Sequence, residues 1–250
     1  MRAKLSPLLL LFSSTLCAQT APQRHSLNPS VTVDPSRVPS PRETVSTREL
    51  LIPPKALKEL QRSQTALFSG DVRSSALHLE KALHIYPGYL EAHNSLGARY
   101  FDLQEYEKAA GEFQEAINID PRISHPYNNL SAALFLLGRY PEAEVAARHA
   151  LDLDPQNSTA RYMLGCVLAT EKRSPSEAIE MLRQTEAEFP DARLLLAQVL
   201  LRQGAATEAK TELRNYLKLP GVEKKQKVEC WLARLDQTLV TSGCAHPNTH

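Results

Sequence analysis

The sequence predicts an all-α solenoid, a stack of antiparallel helix pairs. Three observations predict it. Pro87, Pro121 and Pro155 recur at intervals of 34 residues, with Pro190 35 residues further on and Pro220 after another 30. A fixed period in this range marks stacked supersecondary units. Each of the first three prolines ends a similar phrase, as in Ala82-Leu83-His84-Ile85-Tyr86-Pro87 and Ala116-Ile117-Asn118-Ile119-Asp120-Pro121. Aromatic residues make up only 6% of the chain, while Ala and Leu are plentiful, a composition that suits packed helices better than a sheet.

Taken in order along the chain, residues 1–18 have the layout of a secretory signal peptide. Arg2 and Lys4 precede the apolar run Leu8-Leu9-Leu10-Leu11-Phe12, and Leu16-Cys17-Ala18 offers a cleavage site after Ala18. Cys17 raises a lipid-anchored alternative, although Leu16 stands where bacterial lipoproteins carry a small residue. Residues 19–52 contain Pro22, Pro29, Pro35, Pro39 and Pro41 among many Ser and Thr and no aromatic residue. Such a segment buries too little apolar area to offset its chain entropy and is expected to be a disordered linker. Helical periodicity begins after Pro53-Pro54 and carries about five units over residues 53–220.

Within a unit, small residues recur in phase. Gly97, Ser131 and Gly165 hold one place on the first helix, and Ala109, Ala143 and Ala178 hold one on the second. Both sets are expected to let the paired helices approach closely. Leu96, Leu130 and Leu164 fill the space between, and Gly70, Gly138 and Gly204 occupy the turn joining the helices, where positive φ suits Gly. Each Pro stops the second helix of its unit. The fourth unit has an extra residue between Lys172 and Ser176 and carries Thr185 where Ala is usual; the fifth has a shortened start, Asp191-Ala192-Arg193. Beyond Pro220, Val228, Trp231, Leu232, Leu235 and Leu239 recur at helical spacing, giving a capping helix over 221–240 before a loose tail at 241–250.

The row Leu96-Gly97-x-x-Tyr100, then Ala109, Phe113, Ala116 and Pro121, resembles the tetratricopeptide repeat consensus at every marker place except its leading Trp, where His93 stands. Tyr127, Leu130, Ser131, Gly138, Tyr140, Ala143, Ala150 and Pro155 follow the same pattern nearly as closely. The resemblance implies a right-handed superhelical solenoid whose first helices line a concave groove. It implies protein or peptide partners, with no catalytic role and no cofactor. Gln61, Gln64, Asn94, Ser95, Asn128, Asn129, Tyr162 and Met163 are the expected groove residues. Amides there pair with the N–H and C=O of an extended peptide, while Tyr and Met supply adaptable apolar contact. Glu105, Glu107, Lys108 and Glu112 are expected on the solvated outer face. One subfamily clamps acidic C-termini with paired Lys, Asn and Arg; neither register of this chain supplies the paired cations.

Other function classes find little support. Formal net charge is +1, without the basic excess of a nucleic-acid binder. There is no Gly-rich phosphate loop, no G-x-S-x-G and no H-E-x-x-H. His78, Glu80 and His84 lack zinc-protease spacing, and Cys244, His246 and His250 belong to a poorly preorganised tail, so no metal site is expected. No segment of the mature chain is a membrane-span candidate. Three cysteines remain after cleavage at Ala18, and Cys230 and Cys244 are a candidate disulfide. The expected function is an exported scaffold of a bacterial periplasm or cell envelope. The alternatives are a self-assembling structural module, with homo-oligomers, and a regulatory subunit of an envelope enzyme.

Overall fold

A computed structural model describes residues 52–236. The expected signal segment, linker, Cys17 and the tail with Cys244 lie outside the described residues. Eleven helices occupy the described residues: α1 (Pro54–Phe68), α2 (Val72–Ile85), α3 (Leu90–Asp102), α4 (Tyr106–Ile119), α5 (Ser124–Leu136), α6 (Tyr140–Leu153), α7 (Ser158–Glu171), α8 (Pro175–Arg183), α9 (Ala192–Arg202), α10 (Ala206–Leu217) and α11 (Lys225–Leu235). They pack pairwise along the chain, and the chain divides into two compact bodies between Met163 and Leu164, inside α7.

In the first body, the pairs α1–α2, α3–α4 and α5–α6 form three repeats, and α2 packs on α3 as α4 packs on α5. One turn geometry joins each pair. Gly70 N–H donates to the Leu67 carbonyl and Asp71 N–H to the Ala66 carbonyl, both at 2.9 Å, the double bond of a Schellman cap. The same two bonds recur at Gln104–Glu105 and at Gly138–Arg139. The cap needs a left-handed residue, and φ is +82° at Gly70, +62° at Gln104 and +74° at Gly138. The turn therefore persists in the second repeat without glycine, at the cost of a non-glycine residue in a sparsely populated region.

Each pair is held by a close crossing whose chemistry varies. At Gly97 an added Cβ would lie 2.6 Å from Phe113 Cε1, so it is the Phe113 ring, more than Ala109, that fills the room glycine leaves. In the third repeat the Ser131 hydroxyl donates to the Ala143 carbonyl at 2.8 Å. In the first, Ser63 and Ser75 share a buried hydroxyl–hydroxyl bond of 2.8 Å. Each hydroxyl finds a partner, as burial requires.

In the second body, α9 packs against α8 and α10, and α10 against α11. A Cβ on Gly165 would meet Leu182 Cγ at 2.9 Å, four positions after Ala178 as Phe113 is four after Ala109. Helix α8 stops at Arg183 after nine residues. The Thr185 hydroxyl, fully buried, donates back to the Leu182 carbonyl at 2.9 Å, and this local bond accompanies the early stop. Helix α11 buries Val228, Trp231 and Leu232 and is tied down by Lys210–Asp236 at 2.6 Å and Lys224–Asp191 at 2.8 Å. Cys230 is disulfide-bonded, and Cys166 is a buried free thiol.

Two glycines of the second repeat separate packing from propensity. Gly111, on the exposed side of α4, has nothing within 4 Å of an added Cβ. Gly111→Ala is expected to raise stability by up to about 1 kcal/mol through helix propensity. Gly97→Ala gains the same propensity and still loses about 1–3 kcal/mol net through overpacking against Phe113. Urea unfolding of the two variants checks the opposite signs.

Candidate partner-binding surface

The expected groove residues fall into three groups in the structure. Gln61 on α1 is exposed, and Gln64, Asn94 and Ser95 are half-buried. Asn128 and Asn129 on α5 are 5% and 6% exposed. Tyr162 and Met163 on α7 are 0% and 1% exposed. The surface apolar contact expected of that last pair is therefore corrected: both side chains are core.

The amides do come together. Helix α3 approaches α5, and Asn129 Nδ2 donates to Asn94 Oδ1 at 2.9 Å. This bond ties the first helices of successive repeats. It leaves Asn94 Nδ2, a donor, and Asn129 Oδ1, an acceptor, without another hydrogen bond among the described residues. Next to them in sequence, Asn128 Oδ1 is buried and unpartnered. A buried amide oxygen without a donor is costly, on the order of 1–3 kcal/mol.

Helix α1 adds a feature the sequence reading missed. Leu57, Gln61, Gln64 and Phe68 follow one another at spacings of four, three and four residues, which sets them on one face. Phe68 is 96% exposed, and Leu57 and Leu67 are exposed as well. The surface of α1 is thus an apolar strip interrupted by two glutamines. Helical spacing alone would have revealed the shared face, and the fold adds its exposure.

The outer-face expectation is corrected at Glu112. Its Oε2 lies 2.7 Å from His93 Nδ1, and His93 Nε2 lies 2.9 Å from the Pro87 carbonyl oxygen. Both ring nitrogens face acceptors, so the arrangement favours the doubly protonated imidazolium. Burial pulls the His93 pKa down, but the bonds to Glu112 and to the Pro87 carbonyl carry it above its usual 6.5. The residue standing in place of the consensus Trp therefore anchors α3 to α4 and to the preceding turn. Elsewhere, His78 bonds Glu59 at 2.8 Å and Tyr100 donates to Glu80 at 2.8 Å. No group of three or more His, Cys, Asp or Glu suited to a metal ion occurs among the described residues. No helix there is long and apolar enough to cross a membrane.

The tetratricopeptide repeat family description matches residues 90–123 and 125–157, the pairs α3–α4 and α5–α6, and a second description of the same repeat matches 162–218. These are tetratricopeptide repeats. The pair α1–α2, outside the matched residues, keeps the turn of the tetratricopeptide repeats that follow it. No curated protein matches the chain. Among solved structures, the type IV pilus biogenesis factor PilW is similar at 22% identity and a TM-score of 0.66, over 74% of this chain and 87% of that one. PilF of Pseudomonas aeruginosa is similar at 23% identity and 0.62, over 73% and 85%. YrrB, described as a TPR protein with an unusual peptide-binding site, is similar at 18% and 0.58, over 74% and 92%. At these identities the likeness carries the fold.

The His93 geometry gives a pH dependence. A folded pKa raised above 6.5 stabilises the fold fully below that value, and the contribution disappears as pH rises through the raised pKa. Wild type is expected to lose stability relative to His93→Gln as pH rises above about 6.5. Paired urea titrations at several pH values measure it, and a difference that does not change with pH contradicts the assignment.

Proposed function

We propose that the protein is a non-catalytic scaffold that binds an extended segment of a partner polypeptide across the first helices of its N-terminal repeats. One observation carries the reading: the Asn94–Asn129 bond sets a free amide donor and a free amide acceptor side by side between successive repeats. A peptide backbone offers the complementary acceptor and donor at every residue, so the grip asks little of the partner's sequence. The strip of Leu57, Gln61, Gln64 and Phe68 on α1 extends the surface with apolar contact. Repeat solenoids commonly bind through such rows of equivalent helices. PilW and YrrB, named for pilus biogenesis and for a peptide-binding site, are in keeping with this class of role.

The scaffold acts outside the cytoplasm in this reading, exported by residues 1–18 and processed after Ala18, with a lipid-anchored Cys17 as the competing form. Sequencing the mature N-terminus from the native host separates the two.

The binding surface is tested by photo-crosslinking in the native host. A crosslinking residue at Gln61 or Gln64 is expected to capture a discrete partner, and one at exposed Glu107 or Glu115 of α4 is not. Combining Asn94→Ala with Asn129→Ala removes both halves of the amide pair, which leaves no orphaned partner and keeps the loss of stability small. That double variant is expected to reduce the adduct about tenfold or more, the loss of one to two net hydrogen bonds. Capture only from the α4 positions, or an undiminished adduct in the double variant, contradicts the proposal.

A further inference from the structure

The second body holds a cavity of about 360 Å³ where the repeat pattern breaks. Helix α7 ends at Glu171, and Arg173 N–H still donates to the Leu168 carbonyl, as in the other turns. The turn then departs from them. Lys172 has φ +59°, at the position of Gly70, Gln104 and Gly138, and the inserted segment puts Ser174 at φ +42° as well. Two non-glycine residues in left-handed conformations within three positions are a strained arrangement. Such strain persists where the surroundings enforce it and concentrates at ligand sites.

The cavity sits against this turn. Leu168, Ala178 and Val199 give it an apolar floor, and Lys172, Arg173 and Arg202 stand around it. The three cations are not equivalent. Arg173 Nε donates to Glu171 at 3.0 Å and is neutralised. Arg202 Nη1 donates to the Ala169 carbonyl at 2.5 Å, and no carboxylate pairs with its half-buried guanidinium among the described residues. Lys172 is exposed and has no ion-pair partner among the described residues either. A partly desolvated cation normally has its own counter-charge. Half-buried Arg202 has none, and exposed Lys172 stands beside it at the rim of an apolar hollow whose volume is near the lower end of the roughly 300–1,000 Å³ typical of small-ligand sites.

We propose that this cavity binds an aliphatic carboxylate, its oxygens held by Arg202 and Lys172 and its carbon chain laid against Leu168, Ala178 and Val199. The site is separate from the amide surface of the first body and does not rest on it. The guanidinium has donors to spare after its bond to Ala169, and a carboxylate takes two of them in parallel. The guanidinium and the ammonium offer two cationic donor groups to one carboxylate on an apolar body. The same chemistry is offered by a short free carboxylic acid and by the C-terminal residue of a polypeptide that ends in Leu or Val.

Calorimetric titration of the full chain with four probes tests the site: hexanoate, hexanamide, an acetylated tripeptide ending in Leu with a free carboxylate, and the same tripeptide amidated. At least one free carboxylate is expected to bind about tenfold or more tightly than its amide, the worth of one charge-assisted hydrogen bond. Preference for hexanoate identifies a free acid as the source, and preference for the tripeptide identifies a chain end. Arg202→Gln removes the charge while keeping a polar side chain, and it should weaken the carboxylate about tenfold or more by the same measure. Lys172→Gly relieves the positive φ, so a weakened affinity in this variant has no unfolding explanation. The proposal is overturned if neither carboxylate binds, if amides bind as tightly as acids, or if both variants keep full affinity.

Discussion

A Cβ on Gly97 would stand 2.6 Å from the ring of Phe113, closer than two carbons can come without one of them moving. The closeness of α3 and α4 follows from that contact, and the other pairs repeat the solution with different atoms. Gly165 admits Leu182, Ser131 sends its hydroxyl to the Ala143 backbone, and Ser63 and Ser75 bond to each other. The requirement common to all four is a small residue on the first helix. What meets it across the crossing is a large apolar side chain in two cases and a hydrogen bond in the others. Because the interior is close-packed, the crossing fixes the attitude of each first helix, and that attitude brings Asn94 and Asn129 to within one hydrogen bond of each other.

The repeat architecture was legible because it rests on residues with a single conformational or steric meaning. Proline stops a helix, so its 34-residue recurrence announces a unit, and glycine takes the positive φ of the turns at Gly70, Gly138 and Gly204. Legibility failed where the geometry outlasted its signature residue. Gln104 and Lys172 adopt the left-handed turn with no glycine to mark it, and Ser63 occupies the crossing of a pair whose consensus is weak. Glu112 reads as one more surface charge in sequence, and only the fold shows that it reaches His93, 19 residues earlier.

The candidate surface was half legible for a related reason. Helical register assigned Asn94 and Asn129 to equivalent faces, and their mutual bond fits that assignment. Register does not report depth. Tyr162 and Met163 share the register of Asn128 and Asn129, and all four are buried, while Phe68 at the end of α1 is nearly bare although no residue pattern marks it so. The fourth repeat shows the complementary effect: one inserted residue, trivial in a sequence, accompanies two cations beside a hollow.

The central claim is that the ring of Phe113 occupies the space that glycine leaves at position 97. A double-mutant cycle between Gly97→Ala and Phe113→Leu, read by urea unfolding, measures that claim most directly. If the ring fills the space, Phe113→Leu relieves part of the strain imposed by the added methyl group. The two changes together then cost less than their sum, by about 0.5–3 kcal/mol, the range found for residues in contact. Costs that add within about 0.5 kcal/mol would contradict the account, because independent sites behave in that way.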